Sequence, residues 1–286
     1  MSESKNRVLL AVLAHPDDES FGMGGTLALY ARRGVEVHLV CATRGEVGVM
    51  EEKYMLGYKT IAERREAELR CAAEKLGLAD VHFLEYRDSG MPGTADNQHP
   101  KALAAQPLEE VAGQVVEYIR RFKPQVVLTF DPIGGYRHPD HIAIHRATVL
   151  AFEKAGDPKF GANGSKPYQP QRLYYHTIPH AFLRLAVKVM PLFGRDPHKW
   201  GQNRDINLAQ IAEVDFPTHA VINIRQVLEQ KEEAGACHES QGGGRLLSGL
   251  TGWFMRMGSG SESYMRAYPP VNGREKIERD LFVAVK

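Results

Sequence analysis

Residues 8–14 read VLLAVLA, an unbroken apolar run. A strand with one face in water alternates apolar and polar residues. A continuous run fits a strand covered on both faces, as in a parallel sheet between two helical layers. The rhythm then repeats. Residues 22–33 predict a helix ended by Gly34, 35–43 a second strand, and 44–57 an irregular loop. Residues 59–76 predict a helix stopped by Gly77, and 81–86 a third strand. After a polar loop, Pro107 opens a helix to about Phe122, and 125–130 predict a fourth strand. A loop rich in Gly and Pro follows, and a helix starts near His141. Four such repeats predict an α/β fold with a doubly wound, mostly parallel sheet flanked by helices. Right-handed crossovers give the order 3-2-1-4, so strands one and four are neighbours.

Two short patterns follow those two strands: His15-Pro16-Asp17-Asp18 and His138-Pro139-Asp140-His141. Ligands of open α/β sheets bind at the carboxyl ends of the strands where the winding reverses, and the topology brings both patterns there. One such triplet alone is an ordinary turn, since Pro and Asp favour turns. Two at the switch point suggest one divalent metal centre. Imidazole and carboxylate suit Zn²⁺, and catalytic zinc typically keeps three protein ligands and an open position. His15, Asp18 and His141 make such a set. Asp17, beside a ligand, can take a proton from water; His138 can stabilise an oxyanion or protonate a leaving amine. Asp140 reads more readily as an N-cap than as a ligand. His145, one helical turn beyond His141, is a substitute ligand or a core histidine.

Other site chemistries are excluded. Gly22, Gly24 and Gly25 do not space as a dinucleotide fingerprint, and there is no HExxH, GxSxG or P-loop. With 36 basic and 35 acidic residues, nothing global points to nucleic acid. Cys41, Cys71 and Cys237 are odd in number and widely spaced, which reads as buried free thiols in a reducing compartment. The N-terminal residues enter a strand with no signal peptide, and no stretch is apolar for the length of a membrane span, so the expected location is cytoplasmic.

The second half is less regular. Residues 172–178 and 220–224 predict strands, with helices at 181–190 and 225–238. Residues 242–263, rich in glycine and large apolar groups, read as a mobile flap, and 281–285 as a last strand. Residues 181–193 are apolar with a few cations, a core or subunit-contact helix rather than a lipid contact. The chain reads as one domain over 1–286: a core over 1–156 and a C-terminal subdomain over 157–286.

The chain resembles the PIG-L/LmbE-like zinc deacetylases. The resemblance rests on Ala14-His15-Pro16-Asp17-Asp18-Glu19 and on Tyr136 through His141, with further likeness at 43–48, Arg65 and Glu68, 86–91 and Lys231 through Gln241. It implies a Rossmann-like fold, one Zn²⁺ per chain (with other divalent transition metals able to substitute) on His15, Asp18 and His141, and Asp17 as general base. It implies that His138 and Tyr136 serve the oxyanion or the leaving group, and that Glu46, Arg65, Asp88 and His238 face the sugar. The implied reaction removes an N-acetyl or other N-acyl group from an N-acetylglucosamine-type small molecule. A thiol-conjugate amidase and a non-catalytic sugar-binding module stay open beside it, as does a homo-oligomer. As plain structure, Arg65 and Glu68 are a helix pair, and Asp88 caps a turn. Arg137, where mycothiol-pathway members commonly carry Gly, and the short 49–58 loop argue against a mycothiol-type substrate.

Overall fold

The computed structural model describes residues 7–161, 164–178, 180–199, 207–243, 260–273 and 275–286. Its centre is β1 (Val8–Leu13), buried at every position. β2 (Glu36–Thr43) pairs with it on one side and β4 (Val126–Phe130) on the other, both parallel. β3 (Asp80–Tyr86) extends the sheet beyond β2, and β5 (Arg172–Thr177) beyond β4. The order β3-β2-β1-β4 matches the sequence expectation. The second half continues this same sheet. β7 (Ser261–Tyr268) runs antiparallel between β5 and β6 (Ala220–Asn223), giving seven strands in the order 3-2-1-4-5-7-6.

The helices form two groups. α2 (Gly24–Arg32), α3 (Ile61–Leu76) and α9 (Leu228–Cys237) pack together, while α4 (Leu108–Phe122) packs on α6 (Pro139–Lys154). Local chemistry sets their ends. Thr60 caps α3 by accepting the Glu63 N–H, and Gly77 closes it in a left-handed turn at φ 72°. Shorter pieces are α1 (Asp18–Phe21), α5 (Gly134–Arg137), α7 (His180–Val189) and α8 (Leu208–Ala212). No helix among the described residues is long and apolar enough to cross a membrane.

Three expectations change. β7 carries Glu262 and Arg266 at buried positions, which breaks the apolar pattern that marks a strand. Glu262 is buried because it accepts the N–H groups of Gly25 and Thr26 at 3.0 and 2.7 Å, opening α2, and pairs with Lys231. The expected strand at 281–285 is a turn, from which Leu281 and Phe282 anchor into the core. The expected flap at 242–263 lies largely outside the described residues, and its last three residues belong to β7.

The thiols also differ from expectation. Cys41 is free and buried, but Cys71 and Cys237 form a disulfide, with Cα atoms 5.9 Å apart. Their separation of 166 residues hid the pairing; the packing of α9 on α3 makes it. A crosslink closing so long a loop stabilises chiefly by restricting the unfolded chain. Reduction, or a Cys71→Ser/Cys237→Ser double variant, is expected to lower unfolding free energy by about 2–4 kcal/mol. Urea melts with and without a dithiol check this; overlapping curves would contradict it.

Candidate active site

β1 ends at Leu13 and delivers His15 to the carboxyl edge of the sheet; β4 ends at Phe130 and leads through α5 into α6, which delivers His141. The two histidines meet there. His15 Nδ1 lies 3.2 Å from His141 Nε2. Asp18 closes the triangle, with Oδ1 3.3 Å from His141 Nε2 and Oδ2 3.7 Å from His15 Nδ1. Tetrahedral zinc with bonds of about 2.0–2.1 Å has ligand-to-ligand edges of roughly 3.3 Å, which the His15–His141 edge matches, with one Asp18 oxygen facing each ring. His138 offers a further nitrogen within 4.8 Å of those of His15 and His141.

Supporting contacts fix the rings. His15 Nε2 lies 3.1 Å from Asp140 Oδ2 and 3.6 Å from Asp88 Oδ1. A proton on Nε2 leaves the Nδ1 lone pair for the cation, the usual carboxylate–histidine–metal arrangement. Asp140 is in turn held by the N–H and hydroxyl of Ser89. His141 stacks on Phe130 at 4.0 Å between ring centroids. The N-cap of α6 is His138, whose Nδ1 accepts the Asp140 N–H at 3.2 Å. Asp140 is therefore not the cap, and the helix begins two residues earlier than expected because Pro139 suits its first position. His145 faces away, bonded to the Phe130 carbonyl and set against Tyr175.

Burial and neighbouring charge set the protonation states. Burial pushes Asp18 up to about 7, against the pull of His15, and raises Asp17, against Arg65. Burial lowers His15, but Asp88 and Asp140 outweigh it and hold the ring well above its usual range. Burial, then the charge of His15, brings His138 down to about 3. Burial likewise lowers His141 and raises the Tyr136 phenol. Tyr136 meets His138 and His141 edge-on, at 5.8 and 4.9 Å.

The remaining expected residues divide into two groups. Glu46 and Asp88 lie together, the Asp88 N–H donating to Glu46 Oε1 at 3.3 Å. Both terminal nitrogens of Arg65 are engaged by protein, Nη1 with the Gly45 carbonyl and Nη2 with the Pro16 carbonyl and Asp17 Oδ2, while its buried Nε has no hydrogen-bond partner. A Cβ on Gly45 would sit 2.0 Å from Arg65 Nη1, so only glycine admits this guanidinium. Arg65 does not pair with Glu68, which binds Arg64 and Ser240. His238 is fully buried behind Asp17, bonded to Glu19. Asp17 itself adopts φ 125°, a backbone strain on the order of 1–3 kcal/mol for a residue with a side chain. Sequence reasoning missed the support from Ser89 and Phe130, which carries no motif, and that from Glu19, which closes the first motif.

The PIG-L family model, described as GlcNAc-PI de-N-acetylase, matches residues 10–152. The 1D-myo-inositol 2-acetamido-2-deoxy-α-D-glucopyranoside deacetylase of Kineococcus radiotolerans is 45% identical over 64% of this chain, a match that spans 55% of that protein. The Catenulispora acidiphila deacetylase 2 of the same description is 35% identical over 99% of both chains. Among solved structures, N,N'-diacetylchitobiose deacetylase from Pyrococcus horikoshii shares the fold, with a TM-score of 0.62 and 21% identity over 92% of this chain and 84% of that one. The chain belongs to the PIG-L family.

Proposed function

We propose that the protein is a metal-dependent amide hydrolase that removes the acetyl group from an N-acetylglucosamine-type sugar. The observation that carries this reading is the convergence of His15, Asp18 and His141, with the charge of Asp17 felt by both His15 and Asp18, in a chain of this family. Two imidazoles and a carboxylate suit zinc, which supplies Lewis-acid polarisation of the acyl oxygen and lowers the pKa of a water. Asp17, raised by burial, is the group placed to take the proton of the attacking water. His138 is neutral at working pH. Its Nδ1 accepts the Asp140 N–H, so its own proton sits on Nε2. It can therefore donate a hydrogen bond to the tetrahedral oxyanion, while the proton taken up by Asp17 is the one that passes to the departing amine. Tyr136, kept as a phenol, is a second donor. Glu46 and Asp88 offer carboxylate acceptors to sugar hydroxyls, and Arg65 holds Asp17 from behind. The first substrate to test is the pseudo-disaccharide named in the relatives, despite Arg137 and the short 49–58 loop.

Release of primary amine from that compound and from N-acetylglucosamine, by zinc-loaded protein, tests the reaction; no release from either would count against it. Asp17→Asn is expected to keep its metal and lose roughly 10²–10⁴-fold in kcat, and near-normal turnover would remove Asp17 from the base role. His15→Ala and His141→Ala are expected to purify with little metal; full occupancy by elemental analysis would contradict the ligand assignment. In metal-free protein Asp18 is pushed to about 7 by burial, and His15 is held above its usual range. Both gain protons as pH falls, so apparent zinc affinity is expected to weaken from pH 8 to pH 6, with protons released on binding. Chelator competition at several pH values reads this, and a flat profile would oppose it.

A further inference from the structure

The left-handed backbone of Asp17 persists only if its surroundings over-determine it. Arg65 holds one side, donating to the Pro16 carbonyl at 2.6 Å and to Asp17 Oδ2 at 3.1 Å. Glu19 holds the other, its Oε2 accepting the Asp17 N–H at 3.0 Å. The second oxygen of Glu19 accepts from Ser20 Oγ at 2.5 Å and lies 2.7 Å from His238 Nε2. Glu19 and His238 have no exposed surface, so neither offers an atom to a substrate. His238 follows the last residue of α9, which is crosslinked to α3. Two residues on, Ser240 donates its N–H and hydroxyl to Glu68 of α3, at 2.9 and 2.7 Å. The helix that carries Arg65 therefore also fixes the segment that carries His238.

We infer that Glu19 and His238 are a positioning pair, in which His238 anchors the Glu19 carboxylate and Glu19 pins the Asp17 N–H so that the Asp17 carboxylate is aimed at the attacking water. The inference rests on the proposed role of Asp17 as base, and it moves His238 from a sugar contact to a support. A sugar contact would act on KM. An aiming device acts on kcat, because a misplacement of about 1 Å costs roughly 10²-fold.

The test compares zinc-loaded His238→Ala, His238→Gln, Glu19→Gln and Asp17→Asn on the pseudo-disaccharide, with metal content and thermal unfolding measured on each preparation. His238→Ala is expected to lower kcat about 10- to 100-fold with KM held within about 3-fold, at full metal content. His238→Gln, whose amide can still donate to Glu19, is expected to recover most of that loss, and Glu19→Gln to fall in the same direction as the alanine variant. If His238→Ala does not fold, His238→Met, which fills the space without a donor, carries the same test. A raised KM with kcat retained, an unchanged kcat, or a loss of metal would each overturn the pairing. Asp17→Asn separates the two readings: if it is inactive while the His238 variants are unimpaired, only the positioning role fails; if it is active, the base assignment fails first.

Discussion

The pairing of β1 with β4 is the constraint on which the site depends. Leu9, Leu10 and Ala11 lie opposite Val126, Val127 and Leu128 in parallel register. Strands joined this way end together, so the residues just beyond them share one edge. His15 and His141, 126 residues apart, come within hydrogen-bond distance for that reason. The burial of both strands on both faces holds the register, since a slip would drive backbone amides out of their ladder and into an apolar interior.

From this edge the supports run outward in layers. Asp140 orients His15, Ser89 orients Asp140, and Phe130 backs His141. On the other side Arg65 and Glu19 grip Asp17. Apart from Asp17, whose side chain keeps 19% exposure, each of these groups is buried, and a buried polar group is stable only when its partners are supplied. The site is thus held by the demand that each charge be matched. That demand fixes geometry more tightly than apolar packing alone.

The first half of the fold was legible because β1 and β4 are apolar on both faces and α2 and α3 run into Gly34 and Gly77. The second half was not. β7 spends its buried positions on Glu262 and Arg266, whose partners lie on α2, α9 and the C-terminal stretch, so no local pattern reveals it. Among site residues, those within the two His-Pro-Asp motifs stood out, yet the work of Asp140 did not, because its partners His15 and Ser89 are 125 and 51 residues away. The disulfide was hidden by the same distance. His238 was recognisable as belonging near the site, but whether a histidine faces a ligand or stands behind one depends on packing that spacing does not encode.

The conformation of Asp17 sets folding and chemistry against each other at a single position. A backbone at φ 125° is comfortable for glycine and costly for any residue with a side chain. A screen that rewarded only heat tolerance would push this site towards glycine and discard the carboxylate with it. Variants bred for robustness should therefore be watched first at the residue where the chain tolerates discomfort to keep its reactivity.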